Sequence, residues 1–178
     1  MGVFDGQFKE FSTEGWTYYG NDTKTSIADF INMHPDAELY VGTDSQRHGN
    51  RKKKYKYWTF TTCVAAYTRR KGGNAILFSE NVRNPQGFDG KLERPKKLSL
   101  LRQRLMVEAM KSLEVAWYLN TIVSEDRPIT IHLDVNQNIQ FDSTKYKDEL
   151  VGYVTAQGFN CEHKPNAWAA SWAADARC

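Results

Sequence analysis

Two short hydrophobic runs in this chain each end on an aspartate. Leu39-Tyr40-Val41 reads as a buried strand that Gly42 and Thr43 carry to Asp44. Ile129-Thr130-Ile131-His132-Leu133 repeats the pattern and ends at Asp134. Hard cations such as Mg²⁺ want carboxylate oxygens, so two strands that each deliver an aspartate into one cleft make a simple divalent-metal site. Taken singly, either aspartate is an ordinary turn residue at a strand end. The pair gains meaning from helical carboxylates that can join it.

Between Leu98 and Leu119 the apolar spacing turns helical, with Leu98, Leu101, Leu105, Ala109, Ser112 and Ala116 along one stripe. Measured from Leu98, Glu108 lies at about −80°, beside Leu101 and Leu105 at the rim of the stripe. Glu114 falls at about 160°, on the solvated face. Glu108 is therefore the helical candidate; the plainer reading is a surface glutamate at a stripe boundary. The last helix, from Ala167 through Asp175, is rich in alanine and serine, and small side chains let a backbone approach a sheet closely. Asp175 follows Ser171 by one helical turn and shares its face. It is the fourth candidate, against the plain reading of an exposed terminal acid beside Arg177.

No acidic residue occurs between Asp44 and Glu80, an interval that holds Arg47, Arg51, Lys52, Lys53, Lys54, Lys56, Arg69, Arg70 and Lys71. Those nine of the 24 basic residues leave 15 to face 21 acids elsewhere, so a net charge of +3 hides a strong asymmetry. Such a field suits a polyanion, with Arg47, Arg51, Lys52, Lys53 and Lys54 the candidate phosphate contacts. A lysine-rich hairpin tip that keeps strand edges soluble is the competing account.

The elements that position these groups follow from pattern. A helix carrying Ile27, Phe30, Ile31 and Met33, capped by Asp22 or Thr23 and stopped at His34-Pro35, precedes a first strand at 39–43. Lys56–Tyr67, dense in aromatic and β-branched residues, is a second strand, and Ala75–Val82 a third across a hairpin turn. After the long helix come a strand at 129–134, a helix capped by Ser143 and stopped by Gly158, a strand at 159–163 and the final helix. The expectation is one mixed α/β domain over 1–178. Its sheet has five strands, three antiparallel then parallel, flanked by helices. Residues 1–37 form an N-terminal extension with one helix packed on it.

At 178 residues the chain can bury one good core. No apolar run approaches the roughly 20 residues that cross a bilayer, and the N-terminus lacks a signal-peptide core, so no membrane association is expected. Cys63, Cys161 and Cys178 are odd in number and share no CxxC spacing, which points to reduced thiols in the cytoplasm rather than disulfides. The four histidines are scattered, against a zinc cage.

The order β-β-β-α-β-α-β-α, with acids on the first strand, the first long helix, the fourth strand and the last helix, resembles the ribonuclease-H-like superfamily. More closely, three blocks resemble the YkuK-type ribonuclease-H-like family. They are Gly42-Thr43-Asp44-Ser45-Gln46, His132-Leu133-Asp134-Val135-Asn136, and Lys164-Pro165 followed by Ala167-Trp168-Ala169-Ala170-Ser171 and Ala174-Asp175. The first block is weakly specific alone; the three in order are strongly so, and the resemblance spans the chain from around Glu10 onward. It implies a nuclease that hydrolyses phosphodiester bonds of RNA, DNA or a hybrid with two Mg²⁺ or Mn²⁺ ions. Asp44 would be shared between the metals, Glu108 and Asp134 would complete the first site, and Asp175 would hold the second. Proofreading-type exonucleases of the superfamily carry Asp-x-Glu on the first strand; Gln46 here departs from that branch. A non-catalytic nucleic-acid-binding or adaptor module of the same fold is the alternative.

Overall fold

The computed structural model describes residues 4, 6–21, 23–48, 57–83, 93–138 and 140–175, without the side chains of 170 and 173–175. A meander forms its centre: β3 (Glu38–His48), β4 (Tyr57–Thr68) and β5 (Gly72–Arg83), antiparallel throughout. β4 is covered on both faces, which is why Trp58 to Ala66 is an unbroken run of apolar residues and threonines. Its hydroxyls bond across the ladder, Thr61 to Ser79 at 2.9 Å and Thr59 to Asn81 at 2.7 Å. The β4–β5 turn places Arg70 at φ 66° and Gly72 at φ 90°, and glycine adopts the second without a Cβ penalty.

Two shorter strands precede the meander, β1 (Trp16–Tyr18) and β2 (Lys24–Thr25), joined by α1 (Ile27–Met33) to β3. After it come α2 (Arg94–Ile122), β6 (Ile129–Leu133), a 3-10 turn at Asp142–Tyr146, α3 (Lys147–Thr155), β7 (Asn160–His163) and α4 (Trp168–Asp175). The sheet runs β2-β1-β5-β4-β3-β6-β7, with β6 and β7 parallel to β3 and each other. The core lies where Leu105, Ala109, Leu113 and Ala116 of α2 meet Leu39, Val41 and Ile131 of the sheet.

The mixed architecture is as expected, but the sheet has seven strands, not five. The additional pair comes from the N-terminal segment, where Thr17 pairs with Leu77 and buries Trp16. Asp44 does not end its strand: β3 continues past it to His48 because β4 goes on pairing with it. Ser26 caps α1, accepting from the Asp29 amide at 3.0 Å. Ser143 caps nothing and sits inside the 3-10 turn that leads into α3.

Candidate active site

Sheet register aligns three charged residues. β3 and β6 pair in parallel from Leu39 with Ile129 to Gly42 with His132, and β6 and β7 from Thr130 with Asn160 to Leu133 with His163. Carrying both registers past the ends of β6 and β7 sets Asp44, Asp134 and Lys164 side by side. Their side chains meet accordingly: the carboxyls of Asp44 and Asp134 share a hydrogen bond, and Lys164 Nζ lies on Asp134 Oδ1. The Lys164 amide donates to Val135 O at 3.2 Å, which ties the two strand exits together.

Strand alternation sorts the acids by face. Thr43 bonds Ser112 of α2 at 2.9 Å, and Ser45 donates to Glu108 Oε1 at 2.6 Å, so odd positions of β3 look toward α2. Tyr40 packs on Trp168, and His132 Nδ1 accepts the Ala169 amide at 3.0 Å, so even positions, Asp44 among them, look toward α4. Glu108 therefore reaches the same end of the sheet as Asp44 from the opposite face. It is buried, and Arg104 Nη1 stands 3.7 Å from its Oε1 while donating to Ser45 O at 3.3 Å.

The field within the cluster is strong. Burial, then the charge of Asp134 and the bond to it, push Asp44 up to about 7, against the pull of Arg104. Burial pushes Glu108 up to about 8, opposed by Arg104 and the Ser45 hydroxyl and reinforced by the charges of Asp44 and Asp134. Among the described residues no group of three or more His, Cys, Asp and Glu side chains forms a ready metal cage. The opposed faces account for this: Asp44 and Asp134 are a pair, and Glu108 stands across the sheet from them, within reach of their charges. Buried carboxylates that repel each other are nonetheless a donor set suited to a hard cation, which relieves that repulsion.

α4 lies over β3, β4 and β6, its Ala169 buried on Cys63, Ala65 and Ala75. Asp175 ends this helix, and its side chain lies outside the described residues. Arg47 is exposed on β3 opposite Trp58; Arg51, Lys52, Lys53 and Lys54 lie outside the described residues. Glu114, read as solvated, is half-exposed beside Lys111.

Sequence reasoning found no role for Lys164 or His132 and passed over Arg104. The spacing of Arg104, one turn before Glu108, was a usable signal. Lys164 needed the β6–β7 register. His132 is fully buried, and burial depresses it to about 4, so the neutral ring serves to anchor the first turn of α4.

The family model described as Ribonuclease H-like matches residues 22–178. No curated protein and no solved structure matches the chain.

Proposed function

Because the chain belongs to the ribonuclease H-like family, we propose that it is a divalent-metal-dependent nuclease acting on phosphodiester bonds of nucleic acid. The observation that carries the reading is the Asp44–Asp134 pair on neighbouring parallel strands, with the charges of both bearing on the buried Glu108. Asp44 and Asp134 would hold the cation, with Glu108 and Asp175 completing the set for two ions. Mg²⁺ or Mn²⁺, when bound, supplies an activated water and stabilises the leaving oxygen.

The remaining work belongs to the chain itself. Arg104 and Ser45 hold Glu108 toward the cluster from the α2 face. Arg47 and the basic residues 51–54 hold the phosphate backbone beside it, since they follow Asp44 directly in the chain. No described helix is long and apolar enough to cross a membrane. We place the protein in the cytoplasm because, among the described residues, Cys63 and Cys161 are unpaired.

The test is cleavage of labelled RNA, DNA and RNA–DNA hybrid by wild type and Asp134→Asn, with Mg²⁺, Mn²⁺ or EDTA. Cleavage that needs the metal and is lost in the variant supports the reading. Salt-sensitive binding with no cleavage under any metal would instead make this a nucleic-acid-binding module.

A further inference from the structure

Lys164 is the part of the cluster that the nuclease reading leaves without a task. Its ammonium lies on Asp134 Oδ1, on the side of Asp134 away from Asp44. The backbone beneath it is fixed, with the amide on Val135 O at 3.2 Å and the carbonyl 3.0 Å from His163 Nδ1. The side chain is not: 37% of it is exposed, against 20% for that of Asp134. A lysine is a compact point charge on a flexible stem, and a half-exposed ion pair is weak enough to exchange. Arg104 differs, being held by Ser45 O at 3.3 Å and lying 5.7 Å over the Trp58 ring.

The ammonium sets a single positive charge on Asp134 Oδ1, where a divalent cation would bring two. Resting on the metal-site reading above, we propose that Lys164 is the resident counter-cation of Asp134, that it yields this carboxylate to the divalent ion, and that the freed ammonium then takes a backbone phosphate of the nucleic acid. The lysine is thus a positioning residue in the empty site and a substrate contact in the filled one.

Three proteins test this: wild type, Lys164→Met and Lys164→Arg, with Lys164→Gln as a second neutral variant should the Met protein not fold. Mn²⁺ binding is read by calorimetry. Removing a positive charge from beside Asp134 should tighten Mn²⁺ roughly tenfold, while the Arg variant stays at or below wild type. Binding of a fluorescent RNA–DNA hybrid is then followed against salt, in Ca²⁺ and in EDTA. In Ca²⁺ the neutral variant should lose roughly 0.7 to 0.9 of the slope of log affinity against log salt. In EDTA its slope should match wild type. Equal Mn²⁺ affinity in wild type and the neutral variant overturns the exchange alone. An unchanged slope in Ca²⁺ overturns the phosphate contact. A wild type that binds no Mn²⁺ brings down the metal-site reading, and the exchange with it.

Discussion

Glu108 surrenders its hydration to the interior and recovers one hydroxyl and a guanidinium at 3.7 Å, which is too little to keep a carboxylate charged at its ordinary pH. Asp44 stands in the same position, with Asp134 against it. The folded protein therefore holds protons that the unfolded chain has released, and stability falls as pH rises from the ordinary carboxylate range to about 7 and 8. His132 acts oppositely, because its depressed value adds stability as pH rises from about 4 to 6.5. The clear window is thus from pH 6.5 to about 8. Melting in EDTA across it should show a loss on the order of 2 kcal/mol. A midpoint that rises instead would mean that both acids ionise freely. Asp44→Asn should flatten this dependence, hold or raise the metal-free melting temperature, and abolish Mg²⁺-dependent cleavage; undiminished cleavage would remove Asp44 from the chemistry. Although β3 runs on past Asp44, the apolar runs before Asp44 and Asp134 and the helical wheel point to Asp44, Asp134 and Glu108 as candidates. Neither shows which cation stands against which acid, because Lys164 meets Asp134 only through the pairing of β6 with β7.

Long elements announce themselves through period, and short edge elements do not. β4, β5 and α2 were legible because each repeats its pattern over 12 or more residues. β1 and β2 span three and two residues, and what makes them strands is the exposed edge of β5. Trp16 nevertheless is 1% exposed, locked by Phe78 at 5.6 Å and by its indole N–H on Ser12 O at 3.0 Å. Trp16→Ala should cost about 3–5 kcal/mol in urea denaturation. A loss under about 1 kcal/mol would make the N-terminal strands a loose appendage. On the opposite face the small residues of α4 do what their size suggests, since Ala169 is fully buried against Cys63, Ala65 and Ala75. Ala169→Leu should cost about 1–3 kcal/mol and, by lifting α4 from the sheet, reduce cleavage more than binding. Full cleavage in that variant would show that α4 need not sit close.

Across the whole molecule the acid-free interval divides in two. β3 leaves Asp44 toward His48, so Arg47 belongs to the end of the sheet that carries the acids, and the basic residues 51–56 that follow it in the chain lie outside the described residues. Arg69, Arg70 and Lys71 sit at the β4–β5 turn, the other end of a 12-residue strand. Asp44 pairs with Thr61, eight residues before Arg69, so at about 3.4 Å per residue the turn lies roughly 27 Å from the acids, about three screening lengths in physiological salt. On the nuclease reading, a strand whose scissile phosphate lay at Asp44 and Asp134 would be held by Arg47 and the basic residues that follow it in the chain. The core of this group, Arg51-Lys52-Lys53-Lys54, has no aromatic residue for stacking on bases, so it should set affinity without sequence preference. Each phosphate contact contributes roughly 0.7 to 0.9 to the slope of log affinity against log salt, so changing all four to serine should flatten it by about three. Changing Arg69, Arg70 and Lys71 to serine should leave the slope within error of wild type. If the first variant keeps the wild-type slope, the segment is a solubilising hairpin tip and the phosphates are held elsewhere.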